Sequence, residues 1–294
     1  MKLNTKTPAV STRCKGKRLL KTLGLGTCLL AGLPLTPTLT AGEGKSFKEE
    51  IIVVEEVQPW GAELTAGWDS LYMFRGVNVI RGDQNYGSSL AWTDLNTTWN
   101  ITANDSITAG VWLAFGVDRT DYKEVDAYIG YTKTIGDLSL GFGYIFYDAF
   151  SGPLYSHELN WSAAYTFNLP KGITITPGLI YYLNLGPDAN DGYGIAETGS
   201  SFLQARIDAG IPLYKDIISL EPWVAFGASF GYNYLDDGST LTGANNLELG
   251  VSLPIKINDT ITVSGYAAYS NQWANLVGTE PNTFWGGAKV TFSF

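Results

Sequence analysis

The chain of 294 residues is almost devoid of cysteine and histidine, with two cysteines, Cys14 and Cys28, and one histidine, His157. Both cysteines precede residue 41, so the rest of the chain has no thiol for a disulfide framework and no Cys/His cluster to hold a metal. Acidic residues are missing from the first 42 positions, the earliest being Glu43. Beyond that segment no apolar run reaches the roughly 18 residues of a membrane-spanning helix. A disulfide-stapled domain, a zinc site of ordinary spacing and a helical membrane span are thereby excluded.

The acid-free segment carries Lys2, Lys6, Arg13, Lys15, Lys17, Arg18 and Lys21 around a leucine-rich stretch that runs to about Leu35. That layout predicts a secretory signal peptide over 1–41, cleaved near Ala41 or Gly42. Leu25-Gly26-Thr27-Cys28 has the outline of a lipoprotein box, but Lys21 interrupts the apolar run before it, and Cys28 reads as an ordinary leader residue. The leader holds seven of the 19 basic residues and none of the 28 acidic ones, leaving twelve against 28 and a net charge of −16 on the remainder of the chain. Nucleic acid is not an expected partner of such a chain.

What the chain does have is 13% aromatic residues and 34 glycines at a mean hydropathy near zero. The last eleven residues alternate: Phe284, Gly286, Ala288, Val290, Phe292 and Phe294 fall on one side of an extended chain, Trp285, Gly287, Lys289, Thr291 and Ser293 on the other. Leu247, Leu249, Val251, Leu253, Ile255 and Ile257 alternate in the same way with Glu248, Gly250, Ser252, Pro254 and Lys256. Twelve such segments occur, at about 62–74, 88–102, 107–117, 125–135, 138–147, 158–167, 173–185, 202–213, 218–234, 247–257, 261–272 and 283–294. Most exceed the roughly 9–11 residues that a tilted strand needs to cross a bilayer.

The links between segments sort by length. After the even-numbered strands they are short turns, such as Gly136-Asp137 and Asn258-Asp259-Thr260; after the odd-numbered ones they are longer, as at 75–87, 186–201 and 235–246. Short turns on one side, long loops on the other and an even strand count predict an all-β protein, an antiparallel up-and-down transmembrane barrel of the bacterial outer membrane with both termini in the periplasm. A soluble β-sandwich has no reason to sort its loops. Aromatic residues near strand ends fit two interface belts: Trp99, Tyr131, Tyr165, Phe167, Phe292 and Phe294 on the periplasmic side, and Tyr72, Phe74, Tyr144, Phe146, Tyr232, Tyr234 and Phe284 on the outer side. The barrel domain is expected over 62–294, preceded by a periplasmic tail over 42–61. The Ile-Val run of that tail is like the segment by which energised transporters engage their motor, but such transporters have larger barrels with a folded plug.

Asp69-Ser70-Leu71-Tyr72-Met73-Phe74-Arg75-Gly76, followed by a polar loop and an alternating strand, resembles the opening of the TorF family of porins, whose chains begin with a Ser-x-Tyr-x-Phe-Arg-Gly element. Ser70, Tyr72, Phe74, Arg75 and Gly76 match it, and length, leader and terminal Phe match more loosely. The chain departs from the family at Val77-Asn78-Val79-Ile80-Arg81-Gly82, where a Ser-Gln pair is common. The resemblance implies a barrel with a role in passive transport and does not imply a substrate. From its position alone, Arg75 is expected either to contact anions at the pore mouth, together with Arg81, or to pair with loop acids such as Asp83 or Asp121. Gly76 is expected to free the backbone at the strand-to-loop corner.

With the polar phase of each strand turned inward, the charged pore-lining candidates are Asp69, Asp126, Glu158, Arg206, Asp208, Glu221, Glu248, Lys256 and Lys289. They form either a narrow water-filled pore or a closed plug in which Arg206, Lys256 and Lys289 pair with Glu221, Glu248 and Asp208. Inward Trp112, Tyr128, Tyr147, Tyr182, Trp223, Tyr266 and Trp285 narrow the interior further. Ser156 and His157 suggest a lipid hydrolase, but adjacent residues of a strand point to opposite faces and no second histidine exists. Asp188 to Gly192 lacks the glutamate of a calcium loop. The expected function is that of a porin-like channel for passive diffusion of ions or small solutes, not an enzyme, with outer-membrane lipid as its surroundings and no cofactor or metal. The alternative is a closed-lumen barrel with a structural or surface-binding role through its extracellular loops.

Overall fold

The computed structural model describes residues 59–80, 89–118, 121–149, 154–186, 198–276 and 278–294. The expected signal peptide, most of the 42–61 tail, Arg81, Asp83, Asp188 and Asp191 lie outside them. The elements are β1 (Trp60–Asp69), β2 (Met73–Phe74), β3 (Val77–Asn78), β4 (Leu90–Asn100), β5 (Asp105–Gly116), β6 (Lys123–Ile135), β7 (Leu138–Ala149), β8 (Leu154–Tyr165), β9 (Phe167–Asn168), β10 (Thr174–Gly186), β11 (Ser201–Tyr214), β12 (Ile218–Tyr234), β13 (Thr240–Lys256), β14 (Ile261–Gln272) and β15 (Asn282–Ser293). One short 3₁₀ turn, Pro170–Gly172, comes after β9.

Twelve of these strands form the wall of one closed antiparallel barrel, and each pairs with the next in the chain. Closure comes from β1 on β15, in register from Glu63 opposite Ser293 to Asp69 opposite Gly287. A closed sheet leaves no edge and no unpaired ladder of backbone groups, which is the condition for crossing lipid with strands. The strands keep the alternation read from the sequence: Leu249, Val251 and Leu253 face outward and Ser252 inward. Trp99, Tyr131, Tyr165, Phe167 and Phe294 are exposed around the end that carries both chain termini.

Four features depart from expectation. The first barrel strand stops at Asp69 instead of running to Phe74, because the chain turns inward at Ser70 and forms the β2–β3 hairpin, a sheet separate from the barrel wall. Tyr72 and Phe74 are consequently buried inside the barrel and take no part in an outer belt. Tyr232 also points inward. Register shifts within β12 and a positive φ at Gly231 interrupt the two-residue alternation just before it. At the start of the barrel, Trp60 already pairs with Trp99, so the wall begins two residues before 62. The link expected at 235–246 is a tighter turn at 235–239, since β12 and β13 extend further along each other. Within that turn Ser239 donates to Asp237 from its backbone N–H (2.9 Å) and its hydroxyl (2.6 Å), which holds the exposed carboxyl below its usual range.

Interior rings lie over glycines of neighbouring strands. A Cβ on Gly67 would sit 2.5 Å from Trp92, and Gly110 and Gly250 are covered in the same way by Tyr128 and Trp223. The absence of side chains at these positions lets large rings lie flat on the wall.

Candidate functional site

The β2–β3 hairpin crosses the lumen. Its turn runs Phe74-Arg75-Gly76-Val77, with Phe74 paired to Val77. Arg75 has φ 49° and Gly76 φ 86°. Two consecutive left-handed residues make the tight primed turn that matches strand twist, a turn in which Asn or Gly normally takes the place of arginine. An arginine there costs on the order of 1–3 kcal/mol of backbone strain. Gly76 has no substitute, because a Cβ would lie 2.5 Å from Asn245 Nδ2.

What holds arginine in that place is its side chain. The guanidinium forms a two-pronged ion pair with Glu158 on β8, Nη2 donating to Oε2 at 2.6 Å and Nη1 to Oε1. Nη1 also donates to the Tyr232 hydroxyl, and Tyr147 donates its hydroxyl to Glu158 Oε2 (2.8 Å). The guanidinium carbon stands 3.6 Å from the centroid of the Tyr182 ring, a close cation–π contact. The backbone carbonyl of Arg75 accepts from Asn233 Nδ2 (3.1 Å) and Asn245 Nδ2 (3.0 Å). Asn245 in turn donates to Asn246 Oδ1 (2.9 Å), and Asn246 to Ser270 Oγ (3.0 Å), so an amide chain on β12, β13 and β14 supports the turn. Among the described residues the acid that Arg75 pairs with is a strand carboxylate inside the barrel, Glu158; Asp83 lies outside the described residues.

Apolar contacts surround this polar centre. Tyr72 and Phe74 pack with Trp112, Tyr147 and Tyr182 on the β5–β10 side. Leu71 and Met73 pack with Trp223, Ala268, Trp285 and Tyr266 on β12, β14 and β15. The ring of Tyr72 lies 5.7 Å from Trp112 and that of Phe74 5.9 Å from Tyr147, measured between centroids. Close by, Tyr122 donates to Glu124 (2.5 Å), and the fully buried Asp126 faces the same region.

Toward the end that carries the termini the lumen is lined by buried and half-buried acids. Asp69 accepts from Trp92 Nε1 (2.9 Å) and the Tyr266 hydroxyl (2.5 Å), Asp94 from the Tyr128 hydroxyl (2.8 Å), and Glu248 from Trp223 Nε1 (2.9 Å). Arg206 clasps Asp208 on its own strand, Nε to Oδ1 at 2.8 Å, with its guanidinium 5.0 Å from the Trp223 ring centroid. Lys289 on β15 faces the same stretch of lumen as Glu63, Asp69, Asp94 and Glu221.

The candidates read from the sequence thus fall into three groups. Asp69, Arg206, Asp208, Glu221, Glu248 and Lys289 line the lumen between the hairpin and the start of β1. Glu158 and Asp126 belong to the hairpin's seat. Lys256 leaves the lining: it pairs with Asp259 (2.8 Å) at the exposed turn. Of the plug of salt bridges expected at this level, Arg206 with Asp208 is formed. Glu63 and Asp94 are further lumen acids. Asp94 lies in Leu-Ala-Trp-Thr-Asp-Leu-Asn-Thr-Thr-Trp-Asn, where polar residues occupy both phases and alternation cannot tell inside from outside. Asn233 and Asn245 carry no sequence signal beyond their polarity.

Ser156 faces inward and donates to Asn184 Oδ1 (3.0 Å), whereas His157 faces outward among Tyr144, Phe146 and Tyr155 with Nδ1 2.5 Å from the Tyr144 hydroxyl. The two side chains stand on opposite sides of the wall and form no catalytic pair. Among the described residues no group of three or more acids, histidines and cysteines could hold a metal.

This architecture defines a transmembrane β-barrel of the outer-membrane type. No protein-family model matches the chain and no curated protein matches it, so the likeness to the TorF family rests on Ser70, Tyr72, Phe74, Arg75 and Gly76 and, more loosely, on length, leader and terminal Phe. Solved structures do match. An outer membrane channel from Pseudomonas putida F1 is 11% identical with a TM-score of 0.53, over 80% of this chain and 96% of that one. NanC porin is 10% identical with a TM-score of 0.49, over 79% and 98%. KdgM porin is 9% identical with a TM-score of 0.45, over 79% and 99%. The similarity to the Pseudomonas channel establishes the fold.

Proposed function

We propose that the protein is an outer-membrane channel through which ions and small solutes diffuse passively, with a preference for cations, and that it has no enzymatic role. It is exported by a cleaved signal peptide over 1–41, and residues 42–59 form a periplasmic tail leading into the barrel. The end with both termini faces the periplasm and the hairpin end faces the exterior. The observation that carries this reading is the lumen wall between the hairpin and the start of β1, where Glu63, Asp69, Asp94, Glu221 and Glu248 outnumber Lys289 and Arg206, and Arg206 is already bound to Asp208. A lumen lined by excess negative charge between low-dielectric walls concentrates cations and repels anions.

Planar-bilayer recording of the refolded protein tests the proposal. Discrete conductance steps with a reversal potential on the cation side in a salt gradient are expected. Absence of steps from folded protein, both with residues 71–79 present and with them replaced by Gly-Ser-Gly, refutes the channel reading, and a clear anion preference refutes the selectivity.

A further inference from the structure

We infer that residues 70–80 are a releasable stopper that closes the exterior half of the lumen, with Arg75 on Glu158 as its latch. The inference rests on the channel reading and adds how that channel is controlled.

The placement of the hairpin comes first. Its two faces touch opposite arcs of the barrel, Tyr72 and Phe74 on the β5–β10 side and Leu71 and Met73 on the β12–β15 side. A segment that packs on both walls, with rings filling the space between, leaves a protein core where a pore would run. The other arm is fastened as well, Asn78 N–H donating to Thr279 Oγ1 (3.0 Å) in the link between β14 and β15.

The construction of the seat is the second observation. A permanent filling needs neither a buried ion pair nor a strained arginine, because apolar residues of similar volume fill a core at equal or lower cost in stability. Here both costs fall on one residue, since Arg75 holds a left-handed turn position and a desolvated charge together. Strain and a single charged contact concentrated at one point describe an element with two arrangements, seated and withdrawn, with a small difference between them. The wall does not depend on the hairpin for closure, because β1 pairs with β15 and β4 below it.

Single-channel recording of the protein from residue 42 onward, compared among five forms, tests this. Wild type should be mostly closed. Arg75→Gln and Glu158→Gln should each raise the open fraction about tenfold or more, at an unchanged unit conductance. Replacing residues 71–79 by Gly-Ser-Gly should give a larger conductance that stays open. Oxidised Asn78→Cys/Thr279→Cys should be silent, and reductant should restore wild-type openings; the protein from residue 42 onward has no other cysteine. Heat-modifiable migration in detergent gels confirms that each form is folded, and the cysteine pair and Glu158→Gln keep the test valid should Arg75→Gln fail to fold. Equal conductance and open fraction in wild type and the hairpin-less form overturn the stopper while leaving the channel standing. Silence of every folded form overturns both.

Discussion

Arg75 and Glu158 are 83 positions apart in the chain and meet inside the barrel as a buried two-pronged ion pair, with the guanidinium lying over the ring of Tyr182. The pair joins an inward-folded turn to the middle of the wall. Neither partner has water to fall back on, since both side chains are almost completely enclosed. Loss of one leaves the other as an unpaired buried charge.

Removing either partner should therefore cost about 1–3 kcal/mol, limited by withdrawal of the hairpin, which hydrates the charge left behind, while replacing both with apolar residues of similar volume should cost much less. Urea unfolding in lipid vesicles, monitored by tryptophan fluorescence, measures this for Arg75→Met, Glu158→Leu and the double variant. A double variant as destabilised as the sum of the two singles would show that the pair does not act as a unit.

Gly76→Ala should destabilise the protein by about 1–3 kcal/mol, because the added Cβ meets Asn245 and the backbone is left-handed. Asn245→Ala should cost about 1–3 kcal/mol by taking a donor from the buried Arg75 carbonyl. The same unfolding assay applies. A wild-type midpoint for Gly76→Ala would contradict the geometry of the turn.

The wall's alternation predicts opposite outcomes one residue apart. Val251→Arg places a charge against lipid and should cost about 2–4 kcal/mol. Ser252→Arg turns inward, where Ser252 already donates to Glu221 Oε2 (3.3 Å), and should be tolerated. Folding yield into bilayers distinguishes them, and equal penalties would reverse the inside and outside of β13.

A tag inserted after Gly238 or within 187–197 should be reachable on intact cells, and one at Gly136-Asp137 should not be, because loop tips at the two ends face different compartments. Surface labelling of unpermeabilised cells reads the result. Labelling of the Gly136 site would invert the topology.

Cation preference should be strongest at low ionic strength and fade toward 1 M, as the Debye length falls from about 10 Å at 0.1 M to about 3 Å. Lys289→Gln should strengthen it, since that ammonium stands among Glu63, Asp69, Asp94 and Glu221. Reversal potentials across a salt gradient measure both effects, and a shift toward anions in Lys289→Gln would contradict the assignment of that lysine to the pathway.

The barrel itself was legible in the sequence. Alternation with a period of two is a local property, and an outward Leu249 beside an inward Ser252 comes from strand geometry alone. The aromatic belt around the start of β1 was legible as well, because Trp99, Tyr131 and Tyr165 lie on unbroken strands.

The seat of the hairpin was decided only by tertiary structure. Residues 70–74 read as a continuation of the first strand because Tyr72 and Phe74 keep its period, 75–80 read as part of the link after it, and nothing local marks the inward turn at Ser70. Glu158 alternates like any lumen acid; its pairing with Arg75 depends on where a closed barrel brings β8 relative to a turn folded in from β1. Tyr232 read as a belt residue until the irregularity in β12 turned it inward. Short-range pattern determines which face a residue takes, whereas contacts across a closed wall depend on register, bulges and the path of one hairpin, all set by long-range packing.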